Sequence, residues 1–200
     1  MRRFIRACAA CLCCVALAAT GSCAPHGHAV GDTQSQGTYE QNHNENAGSR
    51  LKVAVIGSSR DDAKLDKQVM NALSDKRIDA SYTSMNQYAS DAGRAARLSQ
   101  RAVEDAVACN VKIIVLSEFT FAGSTEQTWD SVLSKARNAG IPVVLLDPID
   151  EPKNTLLVAA TFTVNNKQTD AVEIGKALQT VIFDNPHERA MTVTTLKPSD

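Results

Sequence analysis

The chain has 200 residues, 21 of them basic and 22 acidic, for a formal net charge of -1 at pH 7. A balance this close to neutral gives no reason to expect nucleic acid as a partner. Four of the six cysteines, Cys8, Cys11, Cys13 and Cys14, crowd into the N-terminal stretch, so the count does not by itself describe a disulfide framework.

Arg2, Arg3 and Arg6 form a cationic opening, followed by an apolar run from Ala7 to Ala19 that is too short for an ordinary membrane-spanning helix. Small residues then lead directly to a cysteine in Leu17-Ala18-Ala19-Thr20-Gly21-Ser22-Cys23. The junction resembles a bacterial lipoprotein signal, which implies that residues 1–22 are removed and that Cys23 carries the lipid (acyl chains such as palmitate). The expected location is then the extracytoplasmic face of a membrane, held by that anchor. Only Cys23 and Cys109 remain afterwards, and an acylated Cys23 leaves no internal disulfide. Cys109, at the end of a helical pattern, reads as a small packed residue.

Residues 23–50 change character. The stretch is rich in Gln, Asn, Gly and His and lacks apolar periodicity, so it cannot offset its ordering entropy and reads as a disordered tether. His26, His28 and His43 lie there without carboxylate or cysteine ligands beside them and read as solvated; no metal or other cofactor is expected.

Residues 51–200 read as one domain of about 150 residues, enough for one core. Leu51–Ile56 predicts a strand, ending in the polar loop Gly57-Ser58-Ser59-Arg60-Asp61. A helix follows, with Leu65, Val69, Ala72 and Leu73 on one face. Ile78, Ala80 and Tyr82 predict a half-buried second strand. Ser90 opens a long helix whose Ala95, Ala96, Val103, Ala106 and Val107 face the sheet.

The clearest unit is Lys112–Asp147. Ile113–Leu116 is an apolar run suited to a strand buried on both faces. Ser124 and Gln127 have the spacing of a helix-capping pair, and Trp129, Val132, Leu133 and Ala136 recur at helical spacing. Gly140 supplies a left-handed C-cap and Pro142 stops the helix, before a buried strand Val143–Leu146 that ends at Asp147. A fifth strand is expected over Leu156–Val164, and a last helix carries Ala171, Ile174, Leu178, Val181 and Ile182. Regular strand–helix alternation with buried strands predicts an α/β fold, a doubly wound parallel sheet in three αβα layers.

The phrase Lys135-Ala136-Arg137-Asn138-Ala139-Gly140-Ile141-Pro142-Val143-Val144-Leu145-Leu146-Asp147, preceded by a strand ending in Ser117, resembles the N-terminal lobe of the sugar-type (type I) periplasmic binding proteins. The ligand domains of the lactose-repressor family share that lobe. Thr169-Asp170-Ala171-Val172-Glu173-Ile174-Gly175 is similar to a helix entry of the same family, with Ala171 in place of an amide residue. The resemblance implies the strand order 2-1-3-4-5 in a single lobe, with the second lobe of a complete clamshell not matched. The Met191–Leu196 run stands where such a chain would cross to that second lobe, or would add to a sheet edge.

With that order the switch point lies between the first and third strands, and ligand groups are expected on the loops at the strand C-termini. The candidates are Ser58, Ser59, Arg60 and Asp61 on the first lip, Ser117 and Glu118 on the second, Asp147 beyond them, and Asn165 in place of the missing amide. Phe119 and Phe121 are expected to offer an apolar face for a sugar ring. A set dense in directional donors and acceptors suits a polyol better than an apolar ligand.

The expected function is that of an extracytoplasmic solute-binding lipoprotein for carbohydrate or polyol, working with an ABC permease or a separate second lobe, with homodimerisation through the exposed crevice and the Met191–Leu196 run. It is not read as an enzyme: no Gly-x-Ser-x-Gly, His-Glu-x-x-His or Walker-loop motif occurs. Two alternatives stand beside it. One is an interaction or sensory module without a transport role. The other is a flavodoxin-like FMN reductase, since Val55-Ile56-Gly57-Ser58-Ser59-Arg60 faintly resembles its phosphate loop.

Overall fold

The fold is taken from a computed structural model that describes residues 51–60, 63–121 and 126–197. Its elements, in chain order, are β1 (Lys52–Ile56), α1 (Lys64–Asp75), β2 (Asp79–Thr83), α2 (Ala92–Ala108), β3 (Ile113–Ser117), α3 (Glu126–Asn138), β4 (Val143–Leu146), β5 (Ala160–Val164), β6 (Val172–Glu173), α4 (Ile174–Ile182) and β7 (Ala190–Thr194). The strands form one seven-stranded sheet in the order β2-β1-β3-β4-β5-β7-β6, every pair parallel. Its first five positions carry the expected order 2-1-3-4-5.

Side-chain alternation along the strands divides the core between two faces. Ala54, Ile56, Ile114, Leu116, Val143 and Leu145 point one way and pack against Val103 and Ala106 of α2 and Trp129, Val132, Leu133 and Ala136 of α3. Val53, Val55, Ile113, Val115, Val144 and Leu146 point the other way, against Val69 and Leu73 of α1 and Ile174, Ala177, Leu178 and Val181 of α4. A strand covered on both faces has no polar side to show, which is why β3 and β4 are unbroken apolar runs.

Local signals hold at most joints. Gly140 adopts φ 71° after α3, with Gly140 N donating to Arg137 O and Ile141 N to Ala136 O, so the helix ends as its glycine and Pro142 dictate. The expected α3 cap, Ser124, lies outside the described residues.

Several expectations need correction. The cap of α2 is Asp91, whose carboxylate accepts from Arg94 N at 2.8 Å, and not Ser90; the carboxylate competes for the free amides better than a hydroxyl one residue earlier. Ser99 joins Ala95, Val103 and Ala106 in the buried stripe of α2 and Val107 packs half-buried against the same core, while Ala96 is only half-buried. The fifth strand starts at Ala160; Thr155–Leu157 forms a 3-10 turn, with Asn154 Oδ1 accepting from Leu156 N. Cys109 is exposed at the C-cap of α2, where the helix has already turned away from the sheet. Finally, Met191–Leu196 is no free edge: β7 is inserted between β5 and β6, pairing with Thr161–Val164 on one side and Val172–Glu173 on the other.

Candidate functional site

All seven strands run parallel, so their C-termini share one rim. Along it β1 delivers Gly57, Ser58 and Arg60, β3 delivers Ser117 and Glu118, β4 delivers Asp147 and β5 delivers Asn165. The switch point, with α1 on one face and α2 on the other, lies between β1 and β3.

The first lip is held from beneath. Asp66, buried in the first turn of α1, accepts from Ser58 N at 2.9 Å and from Tyr82 Oη at 2.8 Å through the same oxygen. Burial, and then the hydrogen bond to Asp66, push the Tyr82 phenol up to about 12, so it remains a donor throughout the physiological range. Gly57 makes this packing possible. A Cβ there would come within 2.4 Å of Tyr82 Oη and 2.6 Å of Asp66 Oδ2. Ser58 Oγ, fully buried, accepts from Arg60 N at 3.0 Å and curls the loop.

The two lips then meet. Arg60 Nη1 donates to Glu118 Oε1 at 3.1 Å across the switch point, with the Arg60 side chain largely in solvent and Glu118 mostly covered. Arg60, Lys64, Leu65, Gln68 and Glu118 line a concavity of about 310 Å³ beside this bridge. Glu118 N in turn donates to Leu146 O at 2.8 Å, tying the second lip to the end of β4. Both Glu118 and Asp147 take left-handed backbone angles, φ 46° and 43°, an unfavourable conformation for residues with a Cβ.

Asp147 sits at the next step. Its Oδ1 accepts from Val164 N at 3.0 Å, joining β4 to β5. Partial burial holds its carboxyl above the usual range in spite of that hydrogen bond. It is half-buried, and among the described residues it is in no ion pair and its second oxygen has no hydrogen-bond partner. Asn165 lies beside it, with its N donating to Val193 O and its side chain engaged with Lys167 N and Gln168. Asn166, the neighbour, is the one that binds the adjacent strand, accepting from Thr194 Oγ1 and Thr195 N.

Two buried polar atoms under this rim, Ser117 Oγ and Asp66 Oδ1, have no hydrogen-bond partner among the described residues.

Of the sequence candidates, Ser58, Arg60, Ser117, Glu118, Asp147 and Asn165 are brought onto one continuous rim. Ser59 is on the same loop, half-exposed. Asp61 lies outside the described residues. Phe119 and Phe121 are not open to a ligand: they are buried against Trp129, ring centroids 4.8 to 5.3 Å apart in edge-to-face geometry. A loop of small compass beside a tryptophan directs aromatic rings into the core, where they shed more surface than a rim offers. What pins that loop is Asp150, whose carboxylate accepts from Phe121 N at 2.6 Å and from Thr120 Oγ1. Sequence reading missed Asp66, Tyr82 and Asp150. Only Asp66 left a signal, as the lone acid on the apolar-facing side of the first turn of α1.

The same geometry weighs against a phosphate cradle. Three of the loop amides are occupied: Gly57 N donates to Thr83 O, Ser58 N to Asp66 and Arg60 N to Ser58 Oγ.

No family profile matches the chain, and no curated protein sequence matches it. Three solved structures are similar to it. One is a galactofuranose binding protein, 27% identical, with a TM-score of 0.44 over 58% of this chain and 36% of that one. A second, from Mycobacterium smegmatis in complex with beta-D-fucofuranose, is 14% identical, with a TM-score of 0.44 over 72% and 54%. A third is the periplasmic binding protein component of the arabinose ABC transporter from Shewanella sp. ANA-3, bound to alpha- and beta-L-arabinofuranose. It is 17% identical, with a TM-score of 0.43 over 72% and 55%. The likeness takes in only about a third to a half of their length, and the fold assignment stands on this chain's own strand order.

Proposed function

We propose that this chain is a binding lobe for a small polyhydroxylated solute, held at the outer face of a membrane by lipid on Cys23 and working with an ABC permease. Residues 23–50 serve as the tether and residues 51–200 as the lobe. The observation that carries the reading is the continuous rim from Ser58 through Arg60, Glu118 and Asp147. Arg60 offers a donor and Glu118 and Asp147 offer acceptors along the C-terminal rim of a doubly wound sheet, with the fully buried Ser58 holding the first loop beneath them. Hydroxyl groups both donate and accept, so a polyol can satisfy the free oxygen of Asp147 and the outer face of the Arg60–Glu118 pair together. The reading is binding without catalysis: among the described residues of the rim the polar groups are placed to hydrogen-bond a solute.

Calorimetry of the full chain against pentoses, hexoses and their alditols tests the site. Binding should raise the melting temperature in step with ligand concentration. Asp147→Ala should then weaken it by about 1–3 kcal/mol, the usual result of leaving a hydrogen-bond partner unmatched. If no compound in that panel stabilises the chain at millimolar concentration, the solute-binding reading fails. An interaction module without a solute is favoured by one observation, the Arg60–Glu118 bridge that already spans the two lips. Membrane fractionation of Cys23→Ala tests the anchor separately, with release of the protein as the expected outcome.

A further inference from the structure

The exposed face of α2 carries a charge order that its own helix opposes. Arg94, Arg97, Arg101, Asp105 and Ala108 form one solvent-facing stripe at spacings of three and four residues. The arginines lie toward the N-terminus and the acid toward the C-terminus, the reverse of what the helix dipole favours. Arg94 is accounted for, stacked over the Tyr88 ring at 4.9 Å. The Arg101 and Asp105 side chains are not: among the described residues neither has a hydrogen-bond or ion-pair partner. Gln100 and Glu104, on the neighbouring flank, are by contrast engaged with Thr128 and Lys135 of α3.

Beside the stripe runs a groove of about 360 Å³ between α2 and the edge strand β2. Its floor is apolar, with Ala54, Ile56, Leu98, Ala102, Ala106 and Val111, and Arg101 and Asp105 stand on its lip. Among the described residues the outer edge of β2 has no neighbouring strand.

We infer that this face pairs with a second copy of the chain, two α2 helices lying antiparallel across a two-fold axis. A stripe that runs from basic to acidic is complementary to itself when reversed. Antiparallel pairing about the level of Val103 sets Arg101 of each copy opposite Asp105 of the other. A two-fold contact repeats each such pair, so one complementary pair makes two. The ridge formed by Arg97, Arg101 and Asp105 lies in the other copy's groove, the arginine stems covering its apolar floor while their heads reach the opposite acid. The reversed charge order, costly in a lone helix, is matched in the pair. None of Ser58, Arg60, Glu118 and Asp147 lines this groove, and the inference does not depend on what the rim binds.

Sedimentation equilibrium on the full chain tests it through charge exchange. Wild-type should dimerise, more weakly as salt is raised. Arg101→Asp and Asp105→Arg should each weaken self-association at least about tenfold, because each places like charges across the axis. Mixed in equal amounts, the two variants should form a heterodimer, and the double exchange Arg101→Asp/Asp105→Arg should restore the homodimer. Both positions are exposed, so the variants should melt as wild-type does. A wild-type chain that is monomeric at about 1 mM overturns the inference. So does a dimer indifferent to either single exchange, or single variants that do not associate with each other.

Discussion

At the scale of single residues, the rim shows how one carboxylate can be structural and another left available. Asp66 is buried, yet two donors converge on one of its oxygens and fix the first lip. Asp147 accepts only Val164 N, and burial raises its proton affinity over that of an unfolded aspartate. A folded-state pKa above the unfolded one means that the native state holds the proton more tightly, so the associated stability is present in acid and lost as pH rises through the folded value. Asp147→Asn retains an acceptor for Val164 N and removes the ionisation. The variant should therefore match or exceed wild-type stability at neutral pH and lack the wild-type's relative gain as pH falls from neutral through the raised value toward the ordinary aspartate value of 3.8. Urea titrations of both proteins across that range measure the difference. A wild-type curve that gains stability from this residue on going up in pH would contradict the assignment.

At the scale of elements, the strand–helix–strand units were legible because their signals are local and redundant. Four buried aliphatics in a row, a helical stripe, Gly140 and Pro142 all state the same boundary, and the structure follows them. What sequence missed was decided by partners far along the chain. Nothing near Phe119 or Phe121 reveals that Trp129 will draw both rings inward, and nothing near Asp150 reveals that it will clasp the loop two strands' length away. Ala190–Thr194 reads as β-prone from its threonines and valine, but its seat between β5 and β6 depends on both neighbours. The loop clasp gives a measurable consequence. Asp150→Ala leaves Phe121 N and Thr120 Oγ1 without their acceptor, which should cost about 1–3 kcal/mol of unfolding free energy. Thr120→Val, which removes only one of the two bonds, should cost less. Equilibrium denaturation ranks them, and equal effects would mean that the backbone amide finds another acceptor.

At the scale of the whole molecule, the question is whether β7 belongs to the lobe or merely follows it. In a two-lobe arrangement the run after α4 would leave this sheet, and the lobe would close at β5. Here β5 and β6 both pair with β7, Val193 is fully buried between layers, and α4 packs Ile174, Leu178 and Val181 into the core shared with α1. Ala190–Thr194 is thus an interior strand, and the sheet on one side of it is held only through it. Removing residues 190–200 strips β5 of a neighbour, leaves β6 unpaired and opens the site of Val193. Full burial of one such side chain is worth roughly 1.5–3 kcal/mol, and the lost ladder adds to it. The truncated chain should therefore be less stable than wild-type by about 3 kcal/mol or more, a large part of what a domain of this size possesses. Urea denaturation followed by circular dichroism decides the matter. A truncated chain as stable as wild-type would show that the sheet closes at β5, and that the last strand is free to serve another lobe.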